Sequence, residues 1–272
     1  MRHRGGTTFL QFPHLARFDG LWHGIFTRHG GDSREPYHSL NVGLGIGDTP
    51  AAVGINRRRI QQLSEAPELV FANQVHGRQV LVLTEGQSRF GPRPAVPSPG
   101  AALTGDALVT DEPGRYLVIQ VADCQPVLLY DPVRRVAANV HCGWRGSIQN
   151  IVGRTIGTLQ SRFGCRPGDI RAGIGPSLGP CCAEFVHYRT EIPEAYWCYR
   201  VGPCHFDFWA MTGDQLRAAG VAKRNILTSR ICTRCHPDDF FSYRGEKKTG
   251  RFAAVIGLRI AGTESPQHRQ QS

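Results

Sequence analysis

The chain has 272 residues, a length that suits one large domain or two small ones with a well-buried core. Hydrophobic residues make up 40% and charged residues 20% of it, which excludes disorder over most of the length. The net charge of +10 favours anionic ligands, but the basic residues are dispersed and no nucleic-acid-binding motif is present. We therefore expect a phosphate-bearing small molecule rather than nucleic acid as the partner.

The sequence contains no apolar run near the ~18 residues that a membrane-spanning helix needs. The first residues lack the apolar core of a signal peptide. These features predict a cytoplasmic protein without a membrane anchor. In that compartment the nine cysteines are expected to be free, buried or metal-bound rather than paired.

Apolar runs of strand length alternate with two helical patterns along the chain. The predicted strands are two within 69–83, broken at His76, then 107–110, 116–121, 127–130, 136–140, 170–174, 226–231 and 252–260. The predicted helices are 147–163 and 209–219. Residues 86–105 are rich in proline and glycine, which indicates a loop inserted in the domain. Bunched strands with few long helices favour an α+β fold, a mixed sheet with helices on its faces. One domain is expected over 1–262, followed by a polar tail, 263–272.

Three potential metal ligands lie at predicted strand ends. His76 and Cys124 each follow a strand, and His141 ends one. If these strands are neighbours, two imidazoles and a thiolate meet at one edge. Zinc prefers nitrogen and sulfur ligands, and three protein ligands with an open fourth position are typical of a catalytic zinc site. The alternative is that the cysteine packs in the core and the histidines are ordinary polar residues.

The predicted helix after His141 offers an anion site. Ser147 is a candidate N-cap, and free N–H groups at a helix start favour an anion. Arg145 adds a bidentate donor for phosphate. The alternative is that Arg145 only solvates a turn.

Nine short motifs follow one another in the order found in a known family. They are residues 26–31, 39–43, 73–77, 105–110, 122–127, 141–146, 173–176, 240–244 and 249–251. On these motifs the sequence resembles the laccase-domain family, also called multicopper polyphenol oxidase, which includes the bacterial peptidoglycan editing factor. Cys142, Ala183 and Gly245 differ from the residues usual in that family, which leaves the substrate preference open.

The resemblance implies a fold, an activity and a set of residues. The fold is an α/β sandwich around a mixed sheet. The activity is phosphorolysis of adenosine, inosine and S-methyl-5′-thioadenosine to the base and a sugar 1-phosphate, and adenosine deamination is also attributed to the family. The metal ligands, and with them the catalytic residues, correspond to His76, Cys124 and His141. The candidate substrate and phosphate contacts are Arg28, Asn41, Arg145, Ser147 and Arg244.

The metal implied by this donor set is zinc, although copper fits the same ligands and binds more tightly. Blue-copper oxidases need a further cluster rich in histidine. Among the eleven histidines no His-x-His pair exists, so we discount a laccase mechanism.

Two alternatives to a metal-dependent phosphorylase remain open. Cys124 and His141 also fit a cysteine hydrolase that acts on cell-wall precursors, with a thiolate nucleophile and an imidazole base. A non-catalytic binding protein with a basic surface is the second alternative. Asp123 and Glu184 are candidate proton carriers, or structural hydrogen-bonding groups.

Four other cysteines have no role in these hypotheses. Cys232 and Cys235 form one C-x-x-C pair, which is half of a zinc site or a redox pair. Cys181 and Cys182 are interpreted as core or rim residues.

Overall fold

The structure is a computed structural model that describes residues 1–84 and 103–261. The strands within these ranges are β1 (Arg2–Arg4), β2 (Thr7–Leu10), β3 (Leu21–Phe26), β4 (Glu68–Phe71), β5 (Val80–Leu83), β6 (Ala107–Thr110), β7 (Arg115–Val121), β8 (Gln125–Asp131), β9 (Val136–Cys142), β10 (Arg171–Ile174), β11 (Ile226–Thr228) and β12 (Phe252–Leu258). The helices are α1 (Pro13–Ala16), α2 (Pro50–Ser64), α3 (Trp144–Ile148), α4 (Ile151–Phe163), α5 (Tyr188–Glu191), α6 (Phe208–Ala218) and α7 (Tyr243–Glu246). Short 3₁₀ turns cover Pro167–Asp169, Glu194–Tyr199 and Lys223–Asn225.

The strands form two six-stranded sheets, and both are mixed. The first has the order β1-β2-β3-β12-β7-β4, in which only β4 and β7 are parallel. The second has the order β11-β10-β8-β9-β6-β5, with parallel pairs at each edge. The predicted α+β class is confirmed, with two mixed sheets where the sequence predicted one.

The main core lies between the two sheets. Leu117 and Ile119 of β7 share it with Leu128 of β8. Because successive side chains of a strand point to opposite faces, Val118 lies on the outer face, in a cluster with Ile60 of α2. Burial of both faces explains why the strands read as continuous apolar runs in the sequence.

Helices cover the outer face of the second sheet. Val127 and Leu129 of β8 belong to a cluster with Ile156 of α4 and Leu216 of α6. The layers are therefore α2, the first sheet, the second sheet, and α4 with α6. This arrangement is the expected α/β sandwich.

A buried amide joins the two sheets. The side-chain nitrogen of Asn139 in β9 donates to the carbonyl oxygens of Leu117 at 3.0 Å and Ala254 at 2.8 Å. Both acceptors belong to the first sheet, so this residue fixes one sheet against the other.

The helix predicted at 147–163 is two helices in the structure. It begins earlier, at Trp144, with Gly143 at the N-cap, so Ser147 lies inside the first helix. The second helix starts after Asn150, whose side-chain oxygen accepts from the backbone N–H of Gly153 at 3.1 Å. Asn150 has a left-handed backbone, which breaks the helical path between α3 and α4.

The other differences lie mainly in the N-terminal third. Strands β1 to β3 and helix α2 were not predicted, whereas the later strands occur where the apolar runs place them, with shifted ends. The predicted loop at 86–105 lies mostly outside the described residues, and the tail at 263–272 lies outside them entirely. Among the helices that the structure describes, none is long and apolar enough to cross a bilayer.

Candidate metal centre

Several strand ends meet at one edge where the two sheets join. Strands β4 and β7 are parallel, so the segments that follow them leave at the same edge. The chain then crosses from β7 of the first sheet to β8 of the second through residues 122–124. Because Gln125 at the start of β8 pairs with Cys142 at the end of β9, that strand end lies at the same edge.

This topology brings the three predicted ligands together. The ligand atoms of His76, Cys124 and His141 all lie within 4.8 Å of one another. Sγ of Cys124 is 3.7 Å from Nε2 of His76, and the two imidazole rings have centroids 4.8 Å apart. For a tetrahedral ion with bonds of about 2.0–2.3 Å, the ligand atoms are separated by roughly 3.3–3.8 Å. The donor set and its spacing therefore fit a zinc-sized ion.

One buried carboxylate organises two of the ligands. Oδ1 of Asp106 lies 2.8 Å from Nδ1 of His141 and accepts from the backbone N–H of His76 at 2.9 Å. Its Oδ2 accepts from the backbone N–H of Gly77 at 2.8 Å. These bonds hold His76 in a left-handed backbone, with φ of 59°. They also leave Nε2 of His141 as the ring nitrogen available to a metal, the usual carboxylate–histidine arrangement around zinc.

The charge states of the pair Cys124 and His141 are shifted toward thiolate and imidazolium. Burial alone raises the pKa of Cys124, but the charge and hydrogen bond of His141 outweigh it and lower the pKa to about 6. Burial alone lowers the pKa of His141, but the Cys124 thiolate and the Asp106 hydrogen bond raise it to about 9. The thiolate is the form that binds metals and attacks electrophiles.

Gly143 leaves space beside the three ligands. A Cβ atom at this position would lie 2.9 Å from Cδ2 of His76 and 3.1 Å from Sγ of Cys124. A side chain here would displace two ligands at once. The neighbouring Cys142 is no rival thiolate, because burial raises its pKa to about 11.

The three ligands line a cavity of about 840 Å³. This volume is within the range of small-molecule sites. Its wall includes four aromatic side chains: Trp144, Phe185, Phe208 and Tyr243. It also includes three arginines: Arg145, Arg244 and Arg251. The flat apolar surface suits a planar ring, and the positive charge suits an anion.

Three of the five predicted substrate contacts line this cavity. Arg145 is exposed and stacks over the Trp144 ring at 4.2 Å. Arg244 is half-buried, and its Nη1 donates to the carbonyl oxygen of Glu184 at 2.7 Å. Ser147 is fully buried, and its hydroxyl donates to the carbonyl oxygen of Gly143 at 3.2 Å.

The other two predicted contacts, Arg28 and Asn41, are not among the lining residues. Arg28 forms an ion pair with Glu246 at 2.9 Å and lies over the Phe241 ring. Asn41 is fully buried, and its Oδ1 accepts from the backbone N–H of Arg251 at 2.8 Å. Both residues therefore stand behind the cavity wall.

Asp123 is a structural hub rather than a free carboxylate. Its oxygens accept from the hydroxyls of Thr233 and Ser242, each at 2.7 Å, and from the backbone N–H of Arg244 at 2.6 Å. Glu184 is not among the lining residues, and its carboxylate accepts from the Cys204 thiol at 3.6 Å.

Sequence reasoning missed two residues of the site. Asp106 stands in the 105–110 motif immediately before β6, and its pairing with a histidine 35 positions later is a tertiary contact without a local pattern. Arg251 stands in the 249–251 motif immediately before β12. Because β12 pairs with β7 in an antiparallel register, Phe252 opposite Val121 places Arg251 at the edge that carries Cys124.

A sequence model of the family described as "Multi-copper polyphenol oxidoreductase laccase" matches residues 22–259. The chain belongs to this family. The resemblance inferred from the short motifs is thereby confirmed. The match covers all three candidate ligands, the Asp106 carboxylate and every residue of the cavity wall.

Curated relatives within this laccase family carry the name purine nucleoside phosphorylase. The chain is 36% identical to "Purine nucleoside phosphorylase YlmD" of Geobacillus stearothermophilus over 256 residues, covering 89% of this chain and 92% of that protein. It is also 36% identical to "Purine nucleoside phosphorylase ORF3" of Streptomyces griseus, covering 89% and 97% respectively.

Solved structures from the same laccase family share the fold. The crystal structure of YlmD from Geobacillus stearothermophilus has a TM-score of 0.83 at 32% identity, covering 96% of this chain and 98% of that chain. A Bacillus licheniformis hypothetical protein, YfiH, has a TM-score of 0.83 at 30% identity, covering 94% and 97%.

The copper chemistry in the name of this laccase family needs more ligands than the cavity offers. Over 1–84 and 103–261, the groups of three or more potential ligands are His76, Cys124 and His141 in one place, and four cysteines in another. Neither group is the multi-histidine cluster of a blue-copper oxidase. The donors of the cavity therefore fit one mononuclear ion.

Proposed function

We propose that this chain is a metal-dependent purine nucleoside phosphorylase acting on adenosine, inosine and S-methyl-5′-thioadenosine. In this reaction a phosphate oxygen attacks C1′ of the sugar, the glycosidic C–N bond breaks, and its electron pair leaves with the base. The products are the purine and a sugar 1-phosphate. The observation that carries the proposal is that His76, Cys124 and His141 share one cavity with three arginines. The names of the curated relatives support the same reaction.

His76, Cys124 and His141 would hold the ion, and zinc is the ion that best suits two nitrogens and one sulfur. When bound, a divalent cation supplies charge stabilisation for phosphate or for the departing base. Asp106 sets the His141 ring so that Nε2 faces the other two ligands.

The arginines of the cavity wall are proposed to bind phosphate. Arg145 and Arg244 are the direct contacts, and Arg251 joins them because it lines the same cavity. A guanidinium group matches the geometry of phosphate oxygens in a bidentate manner. Asn41 would act from behind, since it fixes the backbone of Arg251. Arg28 would act in the same way through Glu246, whose other oxygen accepts from the backbone N–H of Ser242.

Ser147 contributes to the shape of the site rather than to a direct contact. Its hydroxyl already bonds to the carbonyl oxygen of Gly143, and its carbonyl oxygen accepts from Gln215 at 2.7 Å. Both bonds fix the start of α3, which carries Trp144 and Arg145.

The aromatic wall is proposed to receive the purine. Trp144 and Phe185 pack edge to face with centroids 5.6 Å apart. Such a surface buries a planar base without requiring many polar contacts, which is consistent with several purine nucleosides as substrates.

The test compares products with and without phosphate. Protein loaded with zinc is incubated with inosine, adenosine or S-methyl-5′-thioadenosine, and base, sugar 1-phosphate and ammonia are measured. We expect base and sugar 1-phosphate only when phosphate is present, and no product from His76→Ala. Ammonia from adenosine without phosphate would show deamination instead. Absence of turnover with all three nucleosides would contradict the proposal and favour the binding-protein alternative.

A specific observation favours a cysteine hydrolase as the second candidate. Cys124, His141 and Asp106 form a chain of thiol, imidazole and carboxylate in the order that activates a nucleophile. Metal and nucleophile exclude each other here, because a bound ion occupies the thiolate. Iodoacetamide labelling separates the two: Cys124 of zinc-loaded protein resists alkylation if the ion is held there. Rapid alkylation of Cys124 at one zinc per chain would favour the hydrolase.

A further inference from the structure

Four cysteines from two distant segments meet outside the cavity. Cys181 and Cys182 follow β10, and Cys232 and Cys235 follow β11. Their sulfur atoms all lie within 4.8 Å of one another. Sγ of Cys235 is 3.5 Å from that of Cys182 and 3.6 Å from that of Cys181. The proposed function uses none of these residues.

The topology of the second sheet brings the two segments together. Strands β10 and β11 are parallel neighbours, and Ile174 pairs with Thr228 at their carboxyl ends. Beyond the strands, Ser177 forms a parallel bridge with Cys232, so the two segments run side by side into the cluster. The meeting of the four sulfurs is therefore fixed by main-chain pairing.

The local turns suit metal binding. The backbone N–H of Gly179 donates to Sγ of Cys232 at 3.3 Å, and the backbone N–H of Cys235 bonds to the carbonyl oxygen of Cys232 at 3.2 Å. N–H donation to sulfur stabilises a thiolate. The second bond closes the tight turn that lets a C-x-x-C pair face one centre.

We propose that Cys181, Cys182, Cys232 and Cys235 bind one zinc ion as a tetrahedral four-thiolate site. Zinc–sulfur bonds of about 2.3 Å require sulfurs roughly 3.8 Å apart. The separations of 3.5 and 3.6 Å from Cys235 to Cys182 and Cys181 are close to this value. Four protein ligands fill the coordination shell, so the site is structural rather than catalytic.

Disulfides explain this arrangement less well. A disulfide has a sulfur–sulfur distance of about 2.05 Å, well below both of these contacts. Cys235 is also nearly equidistant from Cys181 and Cys182, so no single pair is selected. One central ion accounts for all four sulfurs at once.

The ion would stabilise the wall of the active-site cavity. Thr233, between the two cysteines of the C-x-x-C turn, donates to Asp123, the neighbour of Cys124. Ala183, next to Cys182, lines the cavity. The carbonyl oxygen of Glu184 then receives Arg244. The cysteine cluster thus supports both the loop of a catalytic ligand and the position of an arginine.

Metal counting on the full chain tests this inference. Protein purified under reducing conditions without chelator is analysed for zinc by mass spectrometry, with protein quantified by amino-acid analysis. We expect two zinc ions per chain in the native sequence and one in Cys124→Ala. Cys181→Ser and Cys235→Ser are expected to lose one ion each, whereas the matched control Cys198→Ser, another exposed cysteine, keeps both.

The Cys124→Ala variant keeps the test decisive if the serine variants fail to fold. Zinc absent from this variant, with two free thiols or a disulfide at Cys232 and Cys235 by peptide mapping, would overturn the inference. One zinc in both the native chain and Cys124→Ala would support the cysteine site and contradict the proposed catalytic ion, so the two proposals fail separately.

Native alkylation gives an independent measurement. Cys181, Cys235 and Cys198 are all exposed by position. With zinc bound, iodoacetamide is expected to label Cys198 while Cys181 and Cys235 resist until a chelator removes the ion. Equal labelling of all three before chelation would contradict the inference.

Discussion

The two groups of metal-ligating residues differ in donors, surroundings and connections. His76, Cys124 and His141 offer nitrogen and sulfur at the wall of a cavity, and a buried carboxylate orients them. The cysteine cluster offers four sulfurs outside that cavity, held by turns and a strand bridge. Three ligands leave a position for substrate, whereas four close the shell. Their geometry therefore separates a candidate centre for chemistry from a candidate cross-link.

Removal of the thiolate from the cavity should have the largest effect. In Cys124→Ala we expect nucleoside phosphorolysis to fall by about 1,000-fold, or ~4 kcal/mol of transition-state stabilisation, because the ion loses one of its protein ligands. Steady-state rates with inosine and phosphate measure this loss. Cys198→Ser is the matched control and should stay within about twofold, as most surface changes do. Comparable loss in both variants would show that the effect does not come from the cavity thiolate.

Asp106→Asn should weaken only the first group. The asparagine keeps an oxygen for backbone N–H groups but loses the charge that orients His141, so zinc affinity of the cavity site should fall by about 10–100-fold. Competition with a chromophoric chelator measures the affinity. The zinc of the cysteine cluster should be released at the same chelator concentration as in the native chain. Unchanged affinity at the cavity would show that the carboxylate does not set the ligand geometry.

The two ligand groups can be titrated with acid only while the chain stays folded. Burial of His23 sets a lower limit to that pH range. Burial lowers the pKa of His23 from 6.5 to about 3, and its Nε2 accepts from the backbone N–H of Phe12 at 2.8 Å. Between pH 3 and pH 6.5, His23 is therefore neutral in the folded state and protonated in the unfolded state. Stability present above pH 6.5 is therefore lost progressively as the pH falls toward 3.

At pH 5 this residue should cost about 2 kcal/mol of unfolding free energy relative to pH 8. Urea unfolding of the native chain and His23→Gln at both pH values measures the term. The variant is less stable at pH 8 but should lose about 2 kcal/mol less on acidification. The same loss of unfolding free energy in both proteins would show that another group causes the acid sensitivity.

The smallest effect concerns an arginine that the cysteine cluster supports indirectly. Arg244→Lys removes bidentate geometry but keeps the charge, so the KM for phosphate should rise by about tenfold with little change in kcat. Arg154→Lys, at an exposed position of α4, is the control. If the cysteine cluster positions Arg244, Cys235→Ser should raise the same KM in protein that remains folded. An unchanged KM in Arg244→Lys would exclude this residue from phosphate binding.

The meeting of the three candidate ligands was predictable because buried strands leave apolar runs in the sequence. Apolar runs around His76, Cys124 and His141 located their strands, and a ligand next to a strand end keeps its place even when the boundary shifts. Asp106 was not predictable, because its role depends on a hydrogen bond to His141 in β9, which lies 35 residues later in the chain. Arg251 depends in the same way on the pairing of β12 with β7.

The fold was predictable where strands are buried on both faces, and less so at the N-terminus. Helix α2 was missed partly because Arg57, Arg58 and Arg59 interrupt its apolar positions. In the structure Arg57 is only 2% exposed, donates to the carbonyl oxygen of Val42 and lies 3.8 Å from the Phe71 ring centre. Only half of the cysteine cluster could be predicted. The C-x-x-C spacing is a local pattern, but its partners lie about fifty residues away and meet it only through parallel strands.

The bonds that Asp106 makes involve protein groups alone, and they have a practical consequence for anyone who purifies this molecule. A metal site that the polypeptide alone holds in shape can accept different cations without refolding. Among divalent first-row metals, copper binds most tightly. The metal found in the purified protein will then depend on the growth medium and the affinity resin as well as on the metal bound in the cell. Assignments of oxidase or phosphorylase activity should be made on samples stripped and reloaded with one known metal.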